Sequence, residues 1–411
     1  MASEELVELT VGPVAHGGHC VARLDGRVVF VRHTLPGERV LARVTEGGAE
    51  RAFWRADAVE VLDASPDRVP SVWPAAGPGG VGGGELAHVA LPAQRAWKAA
   101  VLAEQLHRLA HLDLDVPMLA APGDDERGGL GWRTRIELVA DSSGQAGMHR
   151  HRSHDVAALA DMPLAGDEIA ALGLFDRRWP AGGRIEAVAP AGGDEPLVLL
   201  DGVPYDLRRG RVDERPNART AVREVVDVPP GRWTFRVAAS GFWQVHRVAP
   251  AVLVEAVLAG AGELGGARVL DLYAGAGLFT LPLADAVGPS GSVVSVEGDL
   301  RAVRDARRGV HDRPEVTLVQ GDVGAVLADP GNVGRADVVV VDPPRVGAGR
   351  SVIDALVTLA PGRIVYVACD PAALARDLAL LVAGGYAVAS LTGHDLFPHT
   401  HHLEAVAVLT R

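Results

Sequence analysis

The chain has 411 residues, 48% of them hydrophobic and only 4% aromatic, with a formal net charge of −12. That length calls for two or three domains rather than one core. The acidic balance excludes a uniformly basic nucleic-acid coat, though not a local basic face.

The start, Met-Ala-Ser-Glu-Glu-Leu, has neither the basic head nor the apolar core of a signal peptide, and no apolar run reaches the length of a bilayer span. A cytoplasmic monomer is expected. Residues 1–63 then read as five short strands, at about 5–10, 20–24, 27–32, 38–44 and 55–62. Turns are expected at Gly12-Pro13, Gly17-Gly18, Asp25-Gly26 and Pro36-Gly37. Such spacing suggests a small closed OB-like barrel, a fold that carries single-stranded nucleic acid in many proteins but serves other uses too. Residues 64–240 begin with a breaker-rich link containing Ala-Gly-Pro-Gly-Gly-Val-Gly-Gly-Gly, followed by a helix over about 92–109 and a strand-rich central region.

From 241 to 411 the pattern becomes alternating helix and buried strand, with strands at 268–272, 292–296, 316–319, 336–341 and 363–368. Continuous Val and Ile runs separated by helices imply a doubly wound, mostly parallel α/β sheet covered on both faces. A closing hairpin near 386–391 and 403–409 makes the last strand antiparallel. Ligands of such sheets bind outside the carboxyl ends of the strands. The first strand runs into Asp271-Leu-Tyr273-Ala-Gly275-Ala-Gly277, where glycines let a backbone approach a ligand. The second ends at Glu297, about right for ribose hydroxyls, and the third at Gly321-Asp322, where a carboxylate accepts from an exocyclic amine. Together these define a nucleoside cleft; the bland alternative is an ordinary sheet with solvated acids at its loops. A third fingerprint glycine is missing, with Thr280 in its place, and the closing hairpin does not suit hydride transfer. Both features favour S-adenosylmethionine over a dinucleotide.

Cys369 follows a parallel strand and so lies at the ligand edge. Glu404 opens the antiparallel last strand, which begins at that same edge, so thiol and carboxylate should flank one cleft. A lone Cys is commonly inert filler; the position just past a strand, before Asp370-Pro371, argues for reactivity. A thiolate and a base beside S-adenosylmethionine suit methylation of a pyrimidine carbon. Sulfur adds at uracil C6, C5 becomes nucleophilic, and the base later removes the C5 proton. A base within folded RNA must first be flipped out. Asp342 and Arg345 are placed to hold its polar edge.

Cys20 and Cys369 are the only cysteines and form no zinc spacing. His399, His401 and His402 look ligand-like, but neighbours leading into a strand should point to opposite faces, so no metal is expected. Two arginine clusters, Arg208, Arg209, Arg211, Arg215, Arg219 and Arg223, and Arg133, Arg135, Arg150 and Arg152, read equally as phosphate contacts or as a solvated face. Arginine is simply the preferred cation of a chain whose only lysine is Lys98.

These motifs resemble the RNA uracil-5-methyltransferase family over nearly the whole chain. The likeness covers a TRAM-type barrel, Gly131-Trp-Arg-Thr-Arg, Gly241-Phe-Trp-Gln-Val, Asp271-Leu-Tyr-Ala-Gly-Ala-Gly, Asp342-Pro-Pro-Arg, Ala368-Cys-Asp-Pro and Pro398-His-Thr-His-His-Leu-Glu. The resemblance implies a class I S-adenosylmethionine-dependent methyltransferase domain, with Cys369 as nucleophile and Glu404 as base. It implies cofactor contacts from Gln244, Tyr273, Gly275, Gly277, Glu297, Asp322 and Asp342, and substrate contacts from Asp342, Arg345 and Phe242. Leu278 and His246 depart from the family pattern. Many barrel-bearing members hold an iron–sulfur cluster on four cysteines; Trp73, Val81, Gly84 and Met162 stand at the matching positions, so no cluster is expected. The barrel favours ribosomal RNA as substrate, with transfer RNA the alternative. A cytosine-C5 enzyme would carry a Cys in the Asp342-Pro-Pro-Arg loop, and an amino-group methylase an aromatic after Pro-Pro. A non-catalytic RNA-binding protein would have lost Cys369 or Glu404.

Overall fold

The computed structural model describes residues 6–411; Glu5, at the head of the first expected strand, and the rest of the amino-terminal signal reading lie outside them. Strands β1 (Leu6–Ala15), β2 (His19–Leu24), β3 (Arg27–Arg32), β4 (Arg39–Glu46) and β5 (Phe53–Asp63) close a barrel in the order β1-β2-β3-β5-β4. Alternate residues point inward: Leu9, Val11, Cys20, Ala22, Val29, Val31, Val40 and Ala42 fill the core. The turn expected at Gly12-Pro13 is not made. β1 runs on to Ala15, and a bulge between Val11 and Val14 takes up the proline, which has no N–H to give the ladder.

Helix α1 (Leu91–Gln105) starts with Pro92 at a position that needs no N–H, then presents three different faces. Trp97 and Val101 pack on the barrel, Leu102 joins the core of the large sheet, and Gln94 and Lys98 point elsewhere, to partners described below. Strand β6 (Met118–Ala120) follows. The central region holds β7 (Arg135–Ala140), β8 (Ala146–His149), β9 (Val156–Ala158), α2 (Asp167–Ala170), β10 (Arg184–Val188), β11 (Leu197–Leu200), β12 (Val203–Asp206) and β13 (Arg211–Val212), the strands ordered β13-β12-β11-β10-β7-β8-β9. The hairpin β14 (Ala221–Val228) and β15 (Gly231–Ala238) lays Trp233, Phe235 and Val237 against the next layer.

That layer is the doubly wound unit: α3 (Ala249–Ala261), β16 (Arg268–Leu272), α4 (Thr280–Val287), β17 (Ser292–Glu297), α5 (Leu300–Gly309), β18 (Val316–Gln320), α6 (Val323–Leu327), α7 (Pro330–Val333), β19 (Val338–Val341), α8 (Gly349–Leu359), β20 (Arg363–Ala368), α9 (Pro371–Ala383), β21 (Ala387–Asp395) and β22 (Glu404–Thr410). Its eight strands run β18-β17-β16-β19-β20-β22-β21-β6, with β22 antiparallel to both neighbours. Val338–Val341 is buried throughout, because helices cover both faces. The outermost strand, β6, comes from residue 118, far upstream of the 241–411 stretch, and pairs Leu119 with His394. Three residues carry too little pattern to read as a strand.

Candidate active site

Every catalytic candidate sits at one edge of this sheet. The parallel registers Leu272↔Val296, Leu272↔Val341 and Val341↔Tyr366 bring the carboxyl ends of β16, β17, β19 and β20 level. Tyr273, Glu297 and Asp342 therefore leave the sheet side by side, Cys369 follows two residues beyond the level of Asp342 on β20, and Asp322 emerges one strand further out after Glu297↔Gln320. β22 runs the other way, so its first residue belongs to the same edge. Ala368 pairs with Ala405. Cys369 directly follows that last pair and Glu404 directly precedes it, so both lie at the cleft end of the ladder, and the Glu404 charge acts on the thiol.

The cofactor side is prepared at the backbone. Tyr273 and Gly275 take left-handed conformations, φ +62° and +57°, which throw the chain away from the sheet. A side chain added at Gly275 would meet open space within 4 Å, the room a ligand needs. Glu297 accepts from Gly275 N at 2.8 Å and from Asp299 N at 2.6 Å, so it ties the glycine loop to the next strand end. Asp322 caps α6 by accepting from Ala325 N at 2.9 Å. Asp271, completely buried, accepts from Thr280 Oγ1 at 2.5 Å through one oxygen while the other has no partner. Burial pushes its carboxyl up to about 7, with Glu297 adding to the rise. Thr280 thus earns its place by holding Asp271. An orphaned buried acceptor beside an open glycine loop and two strand-end carboxylates fits an adenosyl ligand rich in donors.

Phe242 and Gln244 come from the loop between β15 and α3. Arg301 near the start of α5 donates to Ser240 Oγ at 2.9 Å, which sets this loop over the end of β17. Gln244 is buried without a side-chain hydrogen bond among the described residues, while Phe242 is 76% exposed, the most exposed aromatic ring. The departures from the family pattern have structural roles. His246 reaches Asp124 Oδ2 at 2.9 Å and stacks on Trp132 with ring centroids 5.5 Å apart. Leu278 is buried in the core beside Phe279 and Leu281.

Around the thiol the charges are unbalanced. Burial pushes the Cys369 thiol up to about 12, helped by Glu404 and Asp342, with Arg345 pulling the other way. Burial and then Asp342 hold the Glu404 carboxyl far above the usual carboxylate range, again opposed by Arg345. Asp342 itself rises to about 7 through burial and Asp271. Glu404 and Asp342 make no side-chain hydrogen bonds among the described residues. Such a cluster is where proton transfer and nucleophilic attack are arranged.

Several supports were not legible in the sequence. Asp377 of α9 accepts from Tyr366 OH at 2.5 Å and Ala348 N at 2.7 Å, pinning the loop after Arg345. A side chain at Gly347, φ +88°, would stand 2.7 Å from that carboxylate. His16, in the β1–β2 turn, reaches Asp370 at 3.3 Å, next to the thiol. The two adjacent histidines do not diverge as expected. His401 and His402 lie in the bend before β22, where strand alternation does not apply, and their rings sit 4.1 Å apart. No group of three or more His, Cys, Asp or Glu residues among the described residues is placed to hold a metal. Trp73, Val81 and Met162 share one apolar core, and a Cβ at Gly84 would lie 2.9 Å from the Trp73 ring. These residues offer no thiolate and fill the space themselves, so they do not fit an iron–sulfur cluster. The arginine clusters are mostly engaged internally: Arg215 with Asp213, Arg223 with Asp194, Arg135 with Glu224, and Arg152 with Glu46. No helix of the described residues is long and apolar enough to cross a membrane.

A doubly wound sheet whose last strand in sequence is antiparallel, a nucleoside cleft and a barrel at its side define an S-adenosylmethionine-dependent RNA methyltransferase. The family model described as tRNA (Uracil-5-)-methyltransferase matches residues 334–411, and that of the TRAM domain residues 5–59. An "Uncharacterized RNA methyltransferase" of Streptomyces avermitilis is 46% identical, over 98% of this chain and 98% of its own. A "23S rRNA (uracil(1939)-C(5))-methyltransferase RlmD" of Chromohalobacter salexigens is 35% identical, over 98% of this chain and 89% of its own. The tRNA (uracil-54, C5)-methyltransferase of Pyrococcus abyssi, solved with S-adenosyl-L-homocysteine, shares the fold at a TM-score of 0.71 and 21% identity, over 98% of this chain and 100% of that one. The chain belongs to the RNA uracil-5-methyltransferase family.

Proposed function

We propose that the chain methylates C5 of a uridine in 23S ribosomal RNA, with Cys369 as the nucleophile and Glu404 as the base. The observation that carries this reading is the cleft end of the β20–β22 ladder, where Cys369 follows Ala368 and Glu404 precedes its partner Ala405, one strand from Asp342. The ribosomal assignment is supported by the name of the C. salexigens relative, which covers almost the whole chain.

The residues divide the work as follows. Phe242 offers a face on which a base stacks once it leaves the RNA. Asp342, held up to about 7, can accept from uracil N3–H or donate to O4, and the Arg345 guanidinium faces the charge that develops there. Cys369 Sγ gives its proton to water and bonds to C6, and the C5–C6 π pair moves toward C5 and O4. S-adenosylmethionine, when bound against Tyr273, Gly275, Gly277, Glu297, Asp322 and Gln244, supplies the electrophilic methyl group for C5. Glu404 then takes the C5 proton, the C–H pair restores the C5–C6 double bond, and the thiolate leaves. Dividing the substitution this way avoids attack by an unactivated carbon. Burial disfavours the Glu404 carboxylate, and that form, when present, is a stronger proton acceptor than a solvated carboxylate.

The test is a Glu404→Gln variant mixed with unmodified cellular RNA and S-adenosylmethionine, then run on a denaturing gel. A protein–RNA band that vanishes on adding Cys369→Ala is expected, and sequencing the trapped RNA should return 23S ribosomal fragments. Transfer RNA in the band would replace the substrate. Methylation by the wild type with no band from the variant would overturn the proposed roles.

A further inference from the structure

Glu404 enters the cleft from the loop that joins β21 to β22, and the mechanism above does not say what fixes that loop. Helix α1 does so from one face. Lys98, the only lysine in the chain, is 1% exposed, and its Nζ donates to Asp395 Oδ1 at 2.5 Å and to Phe397 O at 2.9 Å. One turn earlier, Gln94 Oε1 accepts from His399 N at 2.7 Å, while its Nε2 meets His399 Nδ1 at 3.0 Å. That same Nε2 lies 2.7 Å from Val89 O and 3.2 Å from Leu86 O, so its two hydrogens are shared among three acceptors and the amide cannot swing. The i, i+4 spacing aims both side chains at the same loop.

The loop answers with its own constraints. His399 is held at φ +65°, and its Nε2 meets Gly128 O at 2.8 Å. A Cβ at Gly129 would strike that ring nitrogen at 2.7 Å, so the chain comes as close as a glycine permits. Asp395 directly follows His394, which pairs with Glu404 across the ladder. Residues 395, 397 and 399 are thereby anchored to one rigid helix, immediately before the carboxylate that must meet the C5 proton.

A buried ion pair is a poor source of stability, since apolar residues of the same volume fill such a space at no loss. What it provides is direction: the ammonium fixes a carboxylate and a carbonyl at set points, which a leucine would not. We infer that Lys98 and Gln94 are positioning residues for Glu404, acting through Asp395 and His399. The inference rests on the assignment of Glu404 as the base.

The decisive variant is Lys98→Met combined with Asp395→Leu, which removes both charges and leaves neither buried alone. Its melting temperature, S-adenosylmethionine affinity and KM for RNA should stay at wild-type values, while kcat falls about a hundredfold, the scale of a small misplacement of a reacting group. A covalent protein–RNA band should accumulate, as in Glu404→Gln, because the thiol still adds and the proton is no longer removed. Gln94→Met, which removes loop bonds without touching a charge, should show the same split more weakly. Wild-type kcat in both variants, or a loss of rate with no trapped band, would overturn the inference. So would a parallel fall in stability and cofactor affinity in Gln94→Met, the mark of a merely structural role. If Glu404→Gln itself traps nothing while the wild type methylates, the base assignment fails and this inference falls with it.

Discussion

Glu38 and Asp57 in the barrel, and Asp271, Asp342 and Glu404 in the cleft, are carboxylates wholly or partly withdrawn from water, yet their acidities move in opposite directions. Burial alone would raise the barrel pair. Arg68 and the N–H groups of Leu35 and Ser65 instead hold Glu38 below the usual carboxylate range. Arg32 does the same for Asp57 through two bonds of 2.8 Å. In the cleft one hydroxyl on Asp271 and the distant pull of Arg345 on Glu404 do not offset the burial, and all three carboxyls rise. The barrel is electrostatically finished in the folded chain. The cleft keeps lone pairs and charge for what enters it, and cofactor and RNA complete it on the proposed mechanism.

The largest expected effect breaks the cleft chemically while leaving its architecture alone. Cys369→Ala should lower the methylation rate by at least about 10⁴-fold, the scale of deleting a covalent nucleophile, with cofactor affinity and melting temperature unchanged; isothermal titration and a thermal scan check both. Next, removing an arginine should have opposite consequences in the two regions. Arg68→Met leaves Glu38 buried and unpaired, which should destabilise the protein by about 3–5 kcal/mol, read by urea unfolding. Arg345→Met, at an exposed site, should change stability by no more than about 0.5 kcal/mol and yet slow adduct formation.

Phe242→Ala should weaken RNA binding by about 1–3 kcal/mol, the value of one base–aromatic stack, with no change in cofactor affinity. The smallest effect sharpens the comparison by pH. Asp271 has a folded pKa raised to about 7, above its ordinary value near 3.8. Its neutral form therefore favours folding below about pH 4, and that advantage is lost as pH rises through about 7. Asp271→Asn should match wild-type stability at pH 4 and exceed it increasingly up to pH 7, by at most about 1.4 kcal/mol per pH unit. The same variant should bind S-adenosylmethionine less tightly. Equal stability of the two proteins at pH 8 would show that the orphaned oxygen costs nothing.

Much of this organisation was readable from residue patterns. The valine runs mark the parallel strands, and a reversed last strand places Cys369 and Glu404 at one edge. Short alternating segments gave the barrel. Side chains acting across the chain were not readable. Lys98 and Gln94 occupy an apolar-looking helix, and only their i, i+4 and i, i+7 spacing to Val101 and Leu102 hinted that they face inward. Asp377 reads as one more helix acid, because its partners Ala348 and Tyr366 lie 29 and 11 residues away. β6 was invisible because three residues have no period.

The β1–β2 turn makes the barrel more than a tether for RNA. Its His16 meets Asp370 beside the thiol, and Gly18 is packed so closely that an added Cβ would lie 3.1 Å from Glu85 and 3.2 Å from His401. A chain lacking residues up to 63 loses both touches at once, one on each of the two loops that frame the chemistry. Sequence modularity and mechanical modularity therefore part company here. The barrel can be recognised as a separate unit, but exchanging it for another of the same fold would require matching this one tight turn to the loops it braces.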